Sequence, residues 1–177
     1  MATDVFLRTT RDKNPLRYAL YQSACTRWEK DKDAMLIPVF DKGIRETRLW
    51  AESQTQTDLY IFTDDDILIV GKDWIRRGAE AMLAHPEYAI CSSNSLLEGE
   101  AQKGEGVIFD CESVGAPMFI RKGILGDDLP EMTLRTECMV LHEYVKRKGF
   151  KEGILSELRH NHLGHGFSST PGLDFGY

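Results

Sequence analysis

Between Val5 and Cys91 the chain alternates short apolar runs with segments of helical periodicity, and this alternation is the strongest constraint on its fold. Val5 to Leu7 stops in the polar stretch Arg8-Thr9-Thr10-Arg11, as a strand entering a loop does. Asn14-Pro15 is a helix start, with asparagine as cap and proline at the first helical position, where its missing N–H is not needed. Leu16, Ala19, Leu20, Ala24 and Trp28 follow at helical spacing. Ala34 to Phe40 reads as a second strand. Pro38 within it predicts an edge position or a bulge, because proline cannot donate to a ladder. A helix is expected over 44–53, strands over 59–62 and 67–70, a helix capped by Asp73 and stopped by Pro86, and a strand over 88–91.

That order predicts an α/β domain with a largely parallel sheet. Ligands of such sheets bind at the carboxyl ends of the strands. Thr9, Asp41 and Asp64 each follow an apolar run, so they are expected along one rim. Residues 94–106, with Gly99, Gly104 and Gly106, read as a loop. Short strands are expected over 107–109, 118–120 and 154–158. A helix over 134–148 should end at Gly149. The Gly/Ser/Pro-rich stretch 164–177 reads as a flexible tail behind a single domain over 1–163.

With 177 residues, 42% of them hydrophobic and 28% charged, the chain fits one soluble globular domain. No stretch approaches the ~20 apolar residues of a membrane span, and no apolar leader opens the chain, so a cytoplasmic protein is expected. Cys25, Cys91, Cys111 and Cys138 form no CxxC pair, which argues against a disulfide framework or a cysteine-rich zinc site. A net charge of −6 disfavours a broad grip on nucleic acid, although Arg8, Arg11, Arg45 and Arg48 form a local basic group.

The chemistry concentrates at Asp64-Asp65-Asp66, directly after the strand Leu59–Phe62. Three adjacent carboxylates at a strand end repel one another unless a cation joins them. Hard divalent cations such as Mg2+ and Mn2+ take oxygen ligands and bridge carboxylates to substrate phosphates. The plainer alternative is a solvated acidic turn. His160, His162 and His165 lie within six residues after the last strand. One of them can complete a metal held mainly by Asp66, or two or three can form a separate zinc site. Glu137, near a helix start, and Asp128 before it are candidate general bases, although the helix dipole alone favours a glutamate there.

Together these segments resemble the family 2 glycosyltransferases, which have the GT-A fold. The strand and helix from Val5 to Ala24 look like that family's first nucleotide-binding unit, with Thr9, Thr10 and Arg11 in its first loop. Asp41 matches the position that contacts the base or ribose. Gly43-Ile44-Arg45-Glu46-Thr47-Arg48 is similar to its Gly-x-x-x-x-Arg helix start, which implies that Arg45 and Arg48 bind the donor and add positive charge at its diphosphate. Asp64-Asp65-Asp66 matches its DxD motif. The resemblance implies that Asp64 leans to the ribose or donor sugar, that Asp65 lies in the donor site, and that Asp66, with His162 and Asp64, holds Mn2+ or Mg2+.

Val114 to Arg121 resembles the strand on the acceptor side, and Glu137-Cys138 followed by Gly149 resembles the Glu-Asp helix. Where the family has its usual base, an aspartate, this chain has Cys138, so Glu137 or Asp128 would take that role. His162-Leu163-Gly164-His165-Gly166 resembles the closing segment, and the tail behind it is a possible lid. The implied activity is metal-dependent, inverting in the family's manner, and moves a sugar from a UDP- or GDP-sugar. The acceptor is a hydroxyl on a glycan, a lipid-linked sugar, a protein or a modified nucleic-acid base. The rival readings are a nucleotidyltransferase, which the glycine-free Thr9-Thr10-Arg11-Asp12 disfavours, and a catalytically degenerate nucleotide-sugar-binding protein.

Overall fold

The structure, a computed structural model, describes residues 2–9, 15–40, 43–95, 107–112, 114–133 and 136–162. Their elements run β1 (Thr3–Thr9), α1 (Pro15–Trp28), β2 (Ala34–Phe40), α2 (Ile44–Gln54), β3 (Leu59–Asp64) and β4 (Ile67–Val70). Then come α3 (Trp74–Ala84), β5 (Tyr88–Ser95), β6 (Ile108–Asp110), β7 (Met118–Arg121), α4 (Glu137–Arg147) and β8 (Lys151–His162). The strands form one sheet in the order β2-β1-β3-β7-β5-β8-β4, with β6 paired to β8. The β1–β2, β1–β3 and β5–β8 ladders are parallel and the others antiparallel. So β1, β2, β3, β5 and β8 run one way, against β4, β6 and β7. The sheet is mixed but mostly parallel, as the strand–helix alternation predicts.

Helices cover both faces, and each face has its own core. On one, α2 and α4 press Ala51, Leu141, Tyr144 and Val145 against Phe6, Tyr60, Phe62 and Ile120. On the other, α1 and α3 bring Trp28, Trp74 and Met82 onto Val5, Leu7, Ile61 and Phe119. Trp74 stacks on Phe119 at 5.0 Å between ring centroids and meets Trp28 edge-on at 5.4 Å. Among the described residues no helix is long and apolar enough to cross a membrane.

Pro38 lies on β2, which ends the sheet order and is therefore an edge strand, as its proline predicts. Two strands run further than their apolar stretches. β5 continues from Cys91 through the buried polar residues Ser92, Ser93 and Asn94, whose backbones pair with β8. β8 spans twelve residues because it pairs with β5 and β6 early and with β4 late. A register shift between Ser93 and Asn94 of its partner breaks the simple alternation of its side chains.

Asp73 precedes α3 but does not cap it through its side chain, contrary to expectation. Its backbone is left-handed, with φ of 50°, and its carboxylate pairs with Arg76 at 3.1 Å. The amide of Ile75 donates instead to Asp31, at 3.2 Å, so the anion at this helix start comes from the α1–β2 turn. α4 begins at Glu137; residues 134 and 135 of the expected helix, like the tail 163–177, lie outside the described residues.

Gly78 is where α3 approaches the sheet most closely. A Cβ there would stand 2.2 Å from the Phe119 ring, on which Trp74 also stacks. Gly78→Ala should therefore lower stability by about 1–3 kcal/mol, despite the higher helix propensity of alanine, and a thermal melt will show the drop.

Candidate active site

The carboxyl ends of β1, β2, β3, β5 and β8 share one rim, because those strands run the same way. Parallel pairing sets Arg8 of β1 beside Asp64 of β3. Arg8 shares the face of Phe6, and Asp64 that of Phe62, because side chains two apart on a strand share a side. Both therefore face α2 and α4. Arg8 Nη2 lies 2.7 Å from Asp64 Oδ1, and Arg8 Nη1 lies 3.9 Å from Glu137 Oε2.

Glu137 opens α4 and is buried. Its Oε1 accepts from Arg48 Nε at 2.7 Å and also from Arg48 Nη2. Arg48, on the second turn of α2, is only 1% exposed, and its guanidinium lies 3.3 Å over the Phe62 ring. A continuous chain of charge thus runs from Asp64 through Arg8 and Glu137 to Arg48. Burial pushes the Asp64 carboxyl up from its ordinary range. The Arg8 guanidinium pulls it back, while Asp66 and Glu137 push it further up.

On the β3–β4 turn the other two aspartates point elsewhere. Thr9 Oγ1 donates to buried Asp65 at 2.7 Å, fastening the end of β1 to the turn. Asp66 Oδ2 lies 3.4 Å from His162 Nε2, because the β4–β8 ladder sets the turn opposite the end of β8. His160, also on β8, is buried and bonded through Nδ1 to Ser93 Oγ at 2.7 Å.

Arg45 donates to the carbonyls of Leu129 at 2.7 Å and Asp127 at 2.8 Å, tying α2 to the segment before α4. Asp128 accepts from Tyr144 at 2.6 Å and lies 3.5 Å from Lys148, contacts that hold its carboxyl below the ordinary range. Tyr144 is two turns along α4 from Glu137, about 10 Å at 1.5 Å per residue. Asp128 is therefore not part of the rim cluster. Thr10, Arg11, Asp41, Lys42 and His165 lie outside the described residues.

Arg8, legible in the sequence only as part of a local basic group, joins two of the site candidates. It is the second charged residue of β1, after the buried Asp4. Ser93 and Asn94 were missed too, and the polar run closing β5 was their only sign.

Among the described residues no three His, Cys, Asp or Glu side chains converge into a ready metal cage. Asp66 and His162 nevertheless make a carboxylate–imidazole pair at the rim. That donor set suits Mn2+ or Mg2+, which complete their coordination with phosphate oxygens and water.

With that geometry in view, likeness to solved structures becomes informative. GalNAc-T7 with UDP, GalNAc and Mn2+ superposes with a TM-score of 0.68 at 7% identity, over 91% of this chain and 43% of that one. S. aureus TarS in complex with UDP-GlcNAc gives 0.65 at 11% identity, over 93% and 61%. A197 from STIV gives 0.54 at 12% identity, over 90% and 84%. The fold is GT-A-like.

TarS and GalNAc-T7 are glycosyltransferases. This chain spans less than two thirds of either, and most of A197. No protein-family model matches the sequence, and comparison with curated proteins finds no match.

The buried pair at the head of α4 makes a measurable prediction. Arg48→Met leaves Glu137 buried beside only the more distant Arg8, and should cost about 3–5 kcal/mol. Arg48→Met combined with Glu137→Leu should cost clearly less than the sum of the two single changes. Denaturant melts of the double-mutant cycle will measure the difference.

Proposed function

We propose that this chain transfers a sugar, with inversion, from a UDP- or GDP-sugar to a hydroxyl acceptor, and that residues 1–163 form its single catalytic domain. One observation carries the reading. On a GT-A-like sheet, the strand-end rim gathers Asp64, Arg8 and Glu137 beside the Asp66–His162 pair. The UDP-sugar and UDP of the TarS structures, and the UDP, GalNAc and Mn2+ of the GalNAc-T7 structure, support the donor class. Cys25, Cys91, Cys111 and Cys138, none of them in a disulfide, fit a cytoplasmic setting.

In this reading Asp66 and His162 hold Mn2+ or Mg2+ against the diphosphate. When bound, such a cation offsets the charge of the leaving group. The chain's own residues do the rest. Asp64, partly exposed, faces the ribose or donor sugar, and Arg8 keeps it from repelling Glu137. Thr9 and Asp65 fix the turn that carries these groups.

Arg48 occupies Oε1 of Glu137, which leaves Oε2 to take the proton of the acceptor hydroxyl as its oxygen attacks the anomeric carbon. Between the two candidate bases, the geometry favours Glu137, since Asp128 is engaged by Tyr144 and Lys148 away from the rim. Thr10, Arg11 and Asp41 complete the donor site in this reading, and the tail 164–177 closes over it to exclude water. The acceptor is a glycan, a lipid-linked sugar, a protein or a modified nucleic-acid base.

A second reading, a protein that binds nucleotide-sugar without turnover, is favoured by the clasp of Arg48 on Glu137 and by Cys138 beside it. Thermal shift and turnover separate the two. UDP or GDP should raise the melting temperature only with Mn2+ or Mg2+, and Asp66→Ala and His162→Ala should abolish that rise. Glu137→Gln should keep the rise yet slow UDP-sugar turnover by about 10²–10⁴-fold. An equal rise without metal would sink the metal-bridged site. A rise with no turnover under any acceptor would leave the binding protein.

A further inference from the structure

A cavity with polar and apolar walls lies at the far end of the sheet, where β8 begins. Its Glu152 stands ten residues before His162, so roughly 30 Å of strand separates the cavity from the rim described above. It encloses about 450 Å³, within the range of small-molecule sites and far more than one water needs. The C-terminal half of α4 roofs it with Val145, and Phe150 adds a second apolar wall.

Glu152 lines this cavity from β8 and is only 3% exposed. Its Oε2 lies 3.3 Å from His142 Nδ1 of α4, while its Oε1 is buried with no hydrogen-bond partner. A buried carboxyl oxygen without a donor is costly, and native structures rarely leave one so.

The other charged groups do not satisfy it. Lys151 is spent on Asp110, at 3.1 and 3.3 Å. Asp110 also accepts from Tyr88. Lys146 on α4 and Glu112 and Cys111 after β6 complete the titratable lining; the Cys111 backbone N–H donates to the Glu152 backbone carbonyl at 3.1 Å, and none of the three bonds Glu152 Oε1. If Glu152 is ionised, Asp110, Glu112 and Glu152 outweigh Lys146 and Lys151 by one negative charge while His142 is neutral.

We propose that this cavity is a ligand site for a small organic cation, a primary ammonium group that donates to Glu152 while its alkyl part lies against Val145 and Phe150. The donor-free oxygen supplies the acceptor, the excess negative charge supplies the sign, and the apolar walls accept a short aliphatic chain.

Burial pushes the Glu152 carboxyl up to about 8, against a smaller lowering by the Val114 backbone N–H. At pH 7 the empty site is therefore mostly protonated, and a cation that binds the carboxylate must displace a proton. The competent fraction rises about tenfold between pH 7 and pH 9, and the apparent affinity rises with it.

Butylammonium is the probe, with n-butanol as its neutral match, measured by calorimetry on the whole chain. Butylammonium should bind about tenfold more tightly at pH 9 than at pH 7. At pH 7 the heat should change with the ionisation enthalpy of the buffer, as a released proton requires. Glu152→Gln should lose the binding while keeping the nucleotide response of the distant rim.

Failure of butylammonium to bind at pH 9, binding by n-butanol of equal strength, or binding unchanged in Glu152→Gln overturns the proposal. Should that variant misfold, the buffer-dependent heat of the unaltered chain decides alone. Neither result bears on sugar transfer at the other rim.

Discussion

The pair formed by Arg48 and Glu137 is the interaction on which the rim depends. It joins the second turn of α2 to the first residue of α4 across 89 positions of sequence. Each partner alone would be an uncompensated buried charge, costing several kcal/mol. Together, with the guanidinium flat on Phe62, they let two helices meet over the end of β3. Arg8 extends the pairing to Asp64 and so links both helices to the sheet. The helix start at Glu137 adds its own positive end to the balance.

Counting charge at this rim explains its shape. Asp64, Asp65, Asp66 and Glu137 are opposed by Arg8 and Arg48, which leaves two negative charges when all four carboxyls are ionised. Two devices reduce their repulsion without a ligand. Asp65 is turned aside to Thr9, and burial raises the proton affinity of Asp64. The remaining excess centres on Asp66, the one beside an imidazole. Sheet topology produces this division, since parallel β1 and β3 supply Arg8 and Asp64 while antiparallel β4 and β8 bring Asp66 to His162.

Local pattern made much of this readable from the sequence. Alternating apolar and amphipathic stretches located every strand and helix among the described residues, and Pro38 marked the edge. The acidic turn was readable because three like charges after a buried strand are unusual. What stayed hidden was long-range or geometric. No spacing rule connects Arg48 to Glu137 or Arg8 to Asp64, so the helix-start arginines looked free for phosphate when one is buried in an ion pair and the other is tied to two carbonyls. The cap on α3 was misread because Asp31 reaches it from 44 residues away. β8 was read too short because its later residues are polar and are held by pairing rather than by apolar burial.

The two ends of the sheet treat buried acids differently, and the contrast is informative. At the strand-end rim, Asp65 has a hydroxyl, Asp66 an imidazole, and Asp64 and Glu137 have guanidiniums. At the other end, Glu152 has an imidazole contact and the Val114 backbone N–H, while its Oε1 has no hydrogen-bond partner. A carboxyl whose proton affinity is raised by folding makes the native state bind more protons than the unfolded chain. Glu152 therefore withdraws stability as pH climbs from its unfolded value near 4.5 through about 8. A leucine of similar volume would carry no such penalty. An ionisable group kept at a structural cost, facing a cavity rather than a partner, is what a binding site requires. In the proposed site the compensating charge would come from outside the chain, whereas at the rim Arg8 and Arg48 supply it.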